Sequence, residues 1–539
     1  MSNFVTFNKT VKGSSHDVSG KPCQDFSISE KLDGGCILIV CDGHGGDTYV
    51  RSDVGSRLAA SITQSKIKEF LDNLPRNLFF DKAGSLTALP SKNPLQGHNG
   101  QRVDFSALTE SQQEIVLQAK SYLDSVKNIP EQKAAFTKLF EAIYSTWLEE
   151  IEQDSIQNPF SDVEKNALGN HSLTKAYGST LMAYVQTKWF WFAFHIGDGK
   201  MLICDHEISW SEPVPWDCRC FLNLTTSLCD ENPIPEFRFA FDGTGNFPAA
   251  VFLGSDGIDD SFVTSEYLRN FYTKTLGIFA ESVDFSGTLS ELEEYLPKLS
   301  KKASHDDMSI AGHINIDAIK DGLKLHLINV EGRDIKENRQ RKSQEVEQLK
   351  SKLSTLQDKE RRLRADLDEL QTACKKGWWD AIKELLAKKE NISDMIRSLS
   401  KVETEISRLA PELDEKNKDL ETWEPQNKSR YEELSRERGV IIESIKQSVE
   451  KEHALFLQER ATLFPDVQPS LSSPFDVTSS HQSGDVLDID SDYQSSIDKE
   501  AKLQSEELLS AHSMPSSAAK PESCQEQIIS IECTIITNK

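Results

Sequence analysis

The sequence predicts an α+β fold over residues 1–320, an α-helical coiled-coil region over residues 330–465, and a largely disordered, acidic, Ser-rich tail over residues 466–539. Three observations carry this prediction. Short apolar runs alternate with helical segments in the first part, leucines then recur at heptad spacing, and the last part is polar and aperiodic. A chain of 539 residues is also too long for a single core, so more than one unit is expected.

Five short runs in the first part are rich in β-branched or aromatic residues and are bounded by Gly, Asp or Ser, which is typical of strands. They are CILIVCD, STLMAYVQT, WFWFAFHIGD, AAVFLGSDG and MSIAGHINI. Three segments between the first two runs have apolar residues spaced by three and four, which predicts helices. These segments begin with SRLAAS, SALTES and EQKAAF. The mixture of strands and helices is the basis of the α+β prediction.

The coiled-coil region is predicted from two stretches of apolar residues on alternating three- and four-residue steps. The first comprises Val346, Leu349, Leu353, Leu356, Leu363, Leu367 and Leu370, and the second runs through Ile392, Ile396, Leu399, Val402, Ile406, Leu409 and Leu413. Pro411 and Pro425 are expected to weaken or break the helix, which favours an antiparallel hairpin over one long rod. A compact helical core and self-association both remain open.

Charge and composition exclude several classes of protein. The formal net charge of −25 argues against nucleic acid and against anionic membrane surfaces, because both are bound through basic faces. The N-terminus MSNFVTFNKT lacks the profile of a signal peptide, and the aromatic run at 189–194 is too short to span a bilayer. Ten scattered cysteines favour reduced thiols. We therefore expect a cytoplasmic protein that binds neither nucleic acid nor membrane.

Acidic residues at the ends of predicted strands are the most informative feature. Asp42 and Asp256 each follow an apolar run directly, Asp306 comes just before one, and Asp198 follows WFWFAFHIG. In an antiparallel sheet the carboxyl end of one strand lies beside the amino end of its neighbour, so these carboxylates could converge on one edge. Carboxylates without His or Cys ligands suit Mg²⁺ or Mn²⁺. Each Asp-Gly pair alone is more often an ordinary turn, so the inference depends on the combination.

The same segments resemble the PP2C family of metal-dependent serine/threonine protein phosphatases, and bacterial members in particular. CILIVCDGHGG resembles its strand followed by DGHxG, and YGSTLMAYV with FHIGDGKMLI resembles its GST strand and GDSR hairpin. VFLGSDGIDDSF and SHDDMSIAG resemble its last two acidic elements. The resemblance implies a β-sandwich of two antiparallel sheets flanked by helices, in the order α-β-β-α. It also implies a phosphoprotein substrate and a water activated by two metal ions.

The resemblance also implies roles for individual residues. It makes Asp42 the bridge between two Mn²⁺ or Mg²⁺ ions, with the Gly43 carbonyl on one of them, and it gives His44 the role of general acid. The remaining ligands that it implies are Asp256 and Asp306 for the first ion, Asp25 for the second, and Asp198 for a third, looser ion.

Three departures from the family pattern are visible, and one of them is GDG at 197–199 in place of GDSR. Gln24-Asp25 stands where the family has Glu-Asp, and an amide is a poorer metal ligand than a carboxylate. The Arg that grips the phosphate is missing, and neither Lys nor His can form its bidentate fork. His16 is the predicted phosphate-binding residue, with Lys12 and Lys21 as alternatives.

Two other functions compete with this one. A calcineurin-like metallophosphoesterase would explain Asp42-Gly43-His44 and the Gly-Asn-His at 169–171, but the motifs come in the wrong order. A pseudophosphatase or scaffold acting through its coiled coil would explain Gln24 and the missing Arg. Against it, mutually repelling buried carboxylates are costly to keep without a catalytic need. A partner kinase or self-association through the coiled coil would be further expectations.

Overall fold

The computed structural model describes residues 3–75, 77–87, 106, 109–215, 217, 220, 225–374 and 380–465. The predicted tail at 466–539 lies outside the described residues, as do Trp378 and Trp379 at the interruption of the heptads. Within the described residues, no helix has both the length and the apolar character needed to cross a membrane.

The elements of the first part follow one another as strands with helices inserted between them. In chain order they are β1 (Phe4–Val11), α1 (Ser14–Ser19), β2 (Phe26–Leu32), β3 (Gly35–Cys41), α2 (Ser52–Asn73), β4 (Ala83–Leu86), α3 (Glu110–Asn128), α4 (Pro130–Gln157), α5 (Asp162–Leu168), α6 (Leu173–Ala176), β5 (Leu181–Gln186), β6 (Trp191–Ile196), β7 (Lys200–Cys204), β8 (Trp210–Ser211), β9 (Arg238–Asp242), β10 (Ala250–Gly254), α7 (Asp256–Asp259), α8 (Ser265–Glu281), α9 (Phe285–Lys302) and β11 (Met308–Asn315). Two long helices, α10 (Ile316–Cys374) and α11 (Asp380–Leu463), complete the described chain.

The strands form two antiparallel sheets. One has five strands in the order β1-β11-β10-β7-β8, and the other has six in the order β2-β3-β5-β6-β9-β4. Leu38, Val40, Tyr184, Val251 and Leu253 form part of the core between the sheets. The six-stranded sheet packs its other face on α2 and α4, and the five-stranded sheet packs on α8 and α9. The predicted α-β-β-α sandwich is confirmed.

The central strand β3 shows why the sequence folds in this way. Successive side chains of a strand point to opposite faces of its sheet. Ile37 and Ile39 enter the core shared with the helices, whereas Leu38 and Val40 enter the core between the sheets. Both faces are covered, so the strand is apolar at every position. It therefore leads a buried backbone directly to Asp42 at its carboxyl end.

The two long helices form an antiparallel hairpin within the chain. A residue that comes later in α10 pairs with a residue that comes earlier in α11, which is the order of an antiparallel pair. Glu331 pairs with Arg430, whereas Lys352 pairs with Glu405. Buried apolar residues fill the seam, among them Val346, Val402, Leu409, Leu434 and Ile445. Apolar residues of the heptad pattern are thus buried between the two helices of the same chain. Self-association through this region stays a prediction.

The expected break at the prolines is wrong. The helix α11 runs without interruption through Pro411 and Pro425. Each proline removes one intrahelical N–H donor and crowds the preceding turn, which costs stability in a helix interior. Both side chains are exposed, and the opposing helix supports the backbone on the other side. Packing along the hairpin therefore outweighs the local penalty.

Replacing either proline with alanine is expected to stabilise the hairpin. Pro411→Ala or Pro425→Ala restores a backbone hydrogen bond at an exposed site, where no cavity is created. We expect a gain of about 1–3 kcal/mol in the free energy of unfolding of the hairpin, as measured by chemical denaturation. Ala410→Gly in the same turn is the opposite control, and a loss of stability in either proline variant would contradict the expectation.

The hairpin returns to the sandwich at its far end. Phe464 packs edge-on against Trp189 and Phe80, and Phe456 packs against Phe247. The described residues between 3 and 465 belong to one compact unit, and β11 passes into α10 without a linker. The division of residues 1–465 into a phosphatase domain and a separate helical domain stays a prediction.

Candidate active site

The predicted acidic residues lie at the same end of the sandwich. Asp42 follows β3, and its carbonyl accepts a hydrogen bond from the Thr180 N–H at 2.8 Å, just before β5. Asp256 follows β10 and Asp306 precedes β11, and these two strands are antiparallel neighbours with Gly254 opposite Ile310. The carboxyl ends of β3 and β10 therefore meet the amino end of β11, and the carboxylates approach one another from both sheets.

Two glycines allow this close approach. A side chain at Gly43 would collide with the backbone carbonyls of Gln24 and Ser52. A side chain at Gly257 would collide with the backbone carbonyl of Asp307. Gly43 thus lets the segment after β3 pack against the segment that carries Gln24 and Asp25. Gly257 brings Asp256 against the turn before β11.

Electrostatic contacts connect Asp25, Asp42 and Asp256 to one another. Burial raises the pKa of Asp25 and of Asp42, and the negative charge of Asp256 raises both further. Burial also raises the pKa of Asp256 to about 7; a hydrogen bond with Asp42 opposes that rise, and the charges of Asp198 and Asp306 add to it. These carboxylates share a small volume that disfavours their ionised forms.

The donor set suits a hard divalent cation. Asp25 is 5% exposed, and its Oδ2 is buried without a hydrogen-bond partner. Mg²⁺ and Mn²⁺ prefer negatively charged oxygen ligands. Such an ion would therefore pair with the free carboxylate oxygen and reduce the repulsion between the three carboxylates. Within the described part of the chain, no three acidic, His or Cys side chains are already spaced to hold an ion. Metal binding would therefore require small side-chain adjustments.

Asp198 lies at the turn between β6 and β7. Burial raises the pKa of its carboxyl, while a hydrogen bond with Thr225 and the charge of Arg238 oppose the rise. Arg238 is only 1% exposed and donates hydrogen bonds to the carbonyls of Gly197, at 2.6 Å, and Pro215, at 3.1 Å. No pattern in the sequence indicated Arg238, which holds the turn that carries Asp198.

The segment from Asp42 to Arg51 is held at both ends. The His44 N–H donates to the Gly178 carbonyl at 3.2 Å. At the other end, Arg51 donates to Glu164 at 2.9 Å and to Asp154 at 3.2 Å, and its guanidinium lies over the ring of Phe160. These contacts make the segment a fixed part of the site.

Comparison with known proteins agrees with this geometry. A family model described as protein phosphatase 2C matches residues 12–296, which is more than half of the chain. The chain belongs to the protein phosphatase 2C family. The family assignment supports protein phosphatase activity for this chain, and it replaces the calcineurin-like alternative. No curated protein sequence matches the chain.

Several solved structures of phosphatases are similar to part of this chain. PppA of Pseudomonas aeruginosa, described as a key regulatory component of T6SS, is 13% identical to this chain. The match covers 58% of this chain and 98% of PppA, with a TM-score of 0.31. The chain is 12% identical to the catalytic domain of the serine/threonine protein phosphatase PstP in complex with two manganese ions, over 58% of this chain and 97% of that one, with a TM-score of 0.31. It is likewise 12% identical to the phosphatase Stp1 of Staphylococcus aureus, over 58% and 95% of the two chains, with a TM-score of 0.29.

Gln24 stands where the family has Glu, and its side-chain amide makes hydrogen bonds to neighbouring segments. Its side-chain N–H groups donate to the His44 carbonyl at 3.1 Å and to the Ser52 hydroxyl at 2.5 Å. Its Oε1 is buried and has no hydrogen-bond partner. The amide therefore links the two neighbouring segments and leaves one buried oxygen without a partner.

Asp307 is the residue that sequence reasoning did not select. It is 2% exposed, and its carboxylate accepts hydrogen bonds from the backbone N–H groups of Gly13, at 2.6 Å, and Gln24, at 2.5 Å. It stands where the family has Asn in its S-x-D-N-x-[ST] element. The doubled Asp in SHDDMS was the available signal. Asp307 anchors the N-terminal segment, and Asp306 is the exposed member of the pair.

His16 faces this anchor. Its Nδ1 lies 2.9 Å from Oδ2 of Asp307, and the residue is 7% exposed. Lys12 forms an ion pair with Asp17 at 3.3 Å, whereas Lys21 donates to the Gly45 carbonyl at 2.7 Å. Lys21 is thus the one of the three placed on the DGHGG segment. Phosphate binding by His16 stays a prediction.

His44 comes two residues after Asp42 in the chain, and its ring is held on two sides. Its Nε2 is 2.7 Å from the hydroxyl of Ser227, and its ring packs against Tyr49 at a centroid distance of 4.7 Å. Burial lowers the pKa of His44 to about 4, and the positive charge of Lys175 lowers it further. Both effects favour the neutral form of the ring.

Proposed function

We propose that this chain is a metal-dependent protein serine/threonine phosphatase whose ions are held by the acidic cluster. Asp42, the Gly43 carbonyl, Asp256 and Asp306 would hold the first ion, Asp42 and Asp25 the second, and Asp198 a third. The observation that carries the proposal is the mutually repelling set of buried Asp25 and half-buried Asp42 and Asp256, with an unpartnered oxygen on Asp25. Carboxylates in such a set lower the stability of the protein unless a cation joins them.

The cofactor is proposed to be Mn²⁺ or Mg²⁺, as two ions with a third more loosely held. When bound, such a pair makes a water molecule acidic enough to attack phosphorus at neutral pH. The chain's own groups orient the reaction. The carboxylates fix the ions, Gln24 and Asp307 hold the segment that carries Asp25, and His44 supplies the leaving oxygen with a proton. The negative charge of a bound phosphate favours the protonated ring that this step needs.

The proposed substrate is a phosphoprotein, with phosphoserine or phosphothreonine as the reacting group. A pseudophosphatase or scaffold is the alternative, and the neutral Gln24 favours it. The helical hairpin would then be the functional part, with a partner kinase or a second copy as its ligand. We propose a cytoplasmic location, which is supported by six free thiols among the described cysteines.

Phosphate release from substrates of different chemistry tests the function. The full-length protein, stripped with a chelator and given Mn²⁺ back, is expected to hydrolyse phosphoserine and phosphothreonine peptides. A phosphodiester such as bis(p-nitrophenyl) phosphate should be hydrolysed far more slowly. Phosphate release that persists in the chelator would exclude metal dependence. No release from any peptide with either ion would favour the scaffold.

Gln24→Glu is expected to strengthen metal binding and weaken the metal-free fold. The carboxylate would add a charged oxygen beside Asp25, so Mn²⁺ should bind roughly tenfold more tightly. The same change removes the N–H donors to the His44 carbonyl and the Ser52 hydroxyl, at a cost of about 1–2 kcal/mol in the free energy of unfolding without metal. Calorimetry and chemical denaturation measure the two effects. Unchanged Mn²⁺ affinity would show that Gln24 does not face the ion.

A further inference from the structure

The hydroxyl of Ser227 makes several contacts, among them one with Cys229 Sγ at 3.2 Å. The residue is 2% exposed, and its hydroxyl lies 3.0 Å from the Ser179 carbonyl and 2.7 Å from Nε2 of His44. A carbonyl only accepts hydrogen bonds, so the hydroxyl donates to Ser179. The Cys229 N–H also donates to the hydroxyl, at 3.3 Å. The contacts with Ser179 and with His44 are both hydrogen bonds only when Nε2–H donates and the Ser227 oxygen accepts.

The tautomer of His44 follows from this arrangement. A proton held on Nε2 leaves Nδ1 as the ring nitrogen that can gain or lose one. Within the described part of the chain, Nδ1 makes no hydrogen bond. The hydrogen bond at Nε2 and the packing of Tyr49 against the ring fix its rotation. Ser227 thus decides which nitrogen exchanges a proton.

The backbone holds Ser227 itself in place. Its N–H donates to Asp230 at 2.9 Å, and the Leu228 N–H donates to the same Ser179 carbonyl at 3.0 Å. Ser179 forms a β-bridge with Gly43, the residue between Asp42 and His44. A short chain of contacts therefore links Ser227 to the backbone of the acidic site. A hydroxyl used only to satisfy a buried polar group would not need this second connection to a site residue.

We propose that Ser227 is the positioning residue for His44, holding the ring so that Nδ1 delivers the proton to the leaving group. The inference rests on the proposed phosphatase function. Water attacks phosphorus, the ester P–O bond breaks, and its electron pair stays on the serine or threonine oxygen. That oxygen takes the proton from Nδ1 of the imidazolium. The ring is left as the neutral Nε2–H tautomer, which is the form that Ser227 accepts from.

Leaving groups with different needs for a proton test the proposal in the full-length protein with Mn²⁺. A serine alkoxide must be protonated to leave, whereas p-nitrophenolate leaves without a proton. Ser227→Ala is expected to lower kcat on a phosphoserine peptide about tenfold, a part of the usual gain from general acid catalysis. On p-nitrophenyl phosphate kcat should change less than about twofold, with KM unchanged on both.

A double-mutant cycle separates positioning from a structural role. In a His44→Ala background, Ser227→Ala is expected to have no further effect on the peptide reaction, because the ring that it positions is gone. Ser227→Thr keeps the hydroxyl and is expected to restore the peptide rate. Thr275→Val is the matched control, since it removes another buried hydroxyl, one that bonds only the Phe271 carbonyl within α8.

The outcomes are distinct. Equal losses on both substrates, or effects of Ser227→Ala and His44→Ala that simply multiply, would overturn the positioning role while leaving the phosphatase function intact. Wild-type protein that hydrolyses neither substrate with Mn²⁺ would overturn the proposed function, and this inference with it. Failure of Ser227→Thr to fold leaves the double-mutant cycle to decide.

Discussion

Asp42→Asn is expected to reduce phosphate release from a phosphoserine peptide by roughly 1,000-fold, which corresponds to about 4 kcal/mol of lost transition-state stabilisation. Asp42 lies at the centre of the cluster, where it contacts Asp256 and lies within the field of Asp25 and Asp198. An amide keeps the shape of the side chain but carries no negative charge. The loss should appear in kcat/KM with Mn²⁺ in excess.

The same substitution is expected to make the metal-free protein more stable. Burial and neighbouring charges disfavour ionised Asp42 in the folded state, so removing the charge relieves repulsion with Asp25 and Asp256. Thermal unfolding in a chelator should therefore occur at a higher temperature than for the wild type. Asp47→Asn, at an exposed position in the same segment, is the control and should change neither property. Activity within tenfold of the wild type in Asp42→Asn would contradict the assignment.

Arg460→Ala is expected to destabilise the protein by about 3 kcal/mol and to release the end of the hairpin from the sandwich. The side chain of Arg460 is 3% exposed, and it forms an ion pair with Asp81 at 2.6 Å. Its guanidinium also lies 5.3 Å from the ring centroids of Phe80 and Phe456. The substitution leaves Asp81 unpaired and removes contacts that join the last turns of α11 to the loop before β4.

Two measurements follow the effect of Arg460→Ala. Chemical denaturation gives the free energy of unfolding, and limited proteolysis reports whether the last turns of α11 have become accessible. Arg436→Ala is the matched control, because this arginine lies on the exposed side of the same helix. Equal stability and equal cleavage of the two variants would show that the contact does not hold the hairpin in place.

The sequence predicts best those elements whose environment is simple. The strands β3, β5, β6, β10 and β11 are continuous apolar runs because both of their faces are covered, and each was recognised. The outer strands β1 and β2 mix polar and apolar residues, as FVTFNKTV and FSISEKL show, and were missed. Their polar side chains join the two sheets instead, for example where Asn8 donates to the Ser27 carbonyl.

The helical region shows which features could not be predicted from the sequence. Heptad spacing indicated the seam, but local rules for proline predicted breaks at Pro411 and Pro425 that the long contact with α10 overrides. The partner of each helix, and the return of Phe456 and Phe464 to the sandwich, depend on contacts between residues far apart in the chain. Such contacts leave no local pattern in the sequence.

The candidate site divides in the same way. Asp42 and Asp256 could be selected because they stand at strand ends, and the structure brings them together with Asp25. Asp307 and Ser227 could not, because their roles arise from partners almost 300 and almost 200 residues away, Gly13 and His44 respectively. The metal-binding and catalytic roles of the selected residues stay predictions.

Titration of Mn²⁺ into the metal-free, full-length protein by calorimetry tests the central claim most directly. The acidic cluster is expected to bind about two ions per chain. The heat should disappear in large part in Asp42→Asn and persist in Asp47→Asn. Binding that is absent in the wild type, or unchanged in Asp42→Asn, would contradict the claim that these carboxylates hold the catalytic ions.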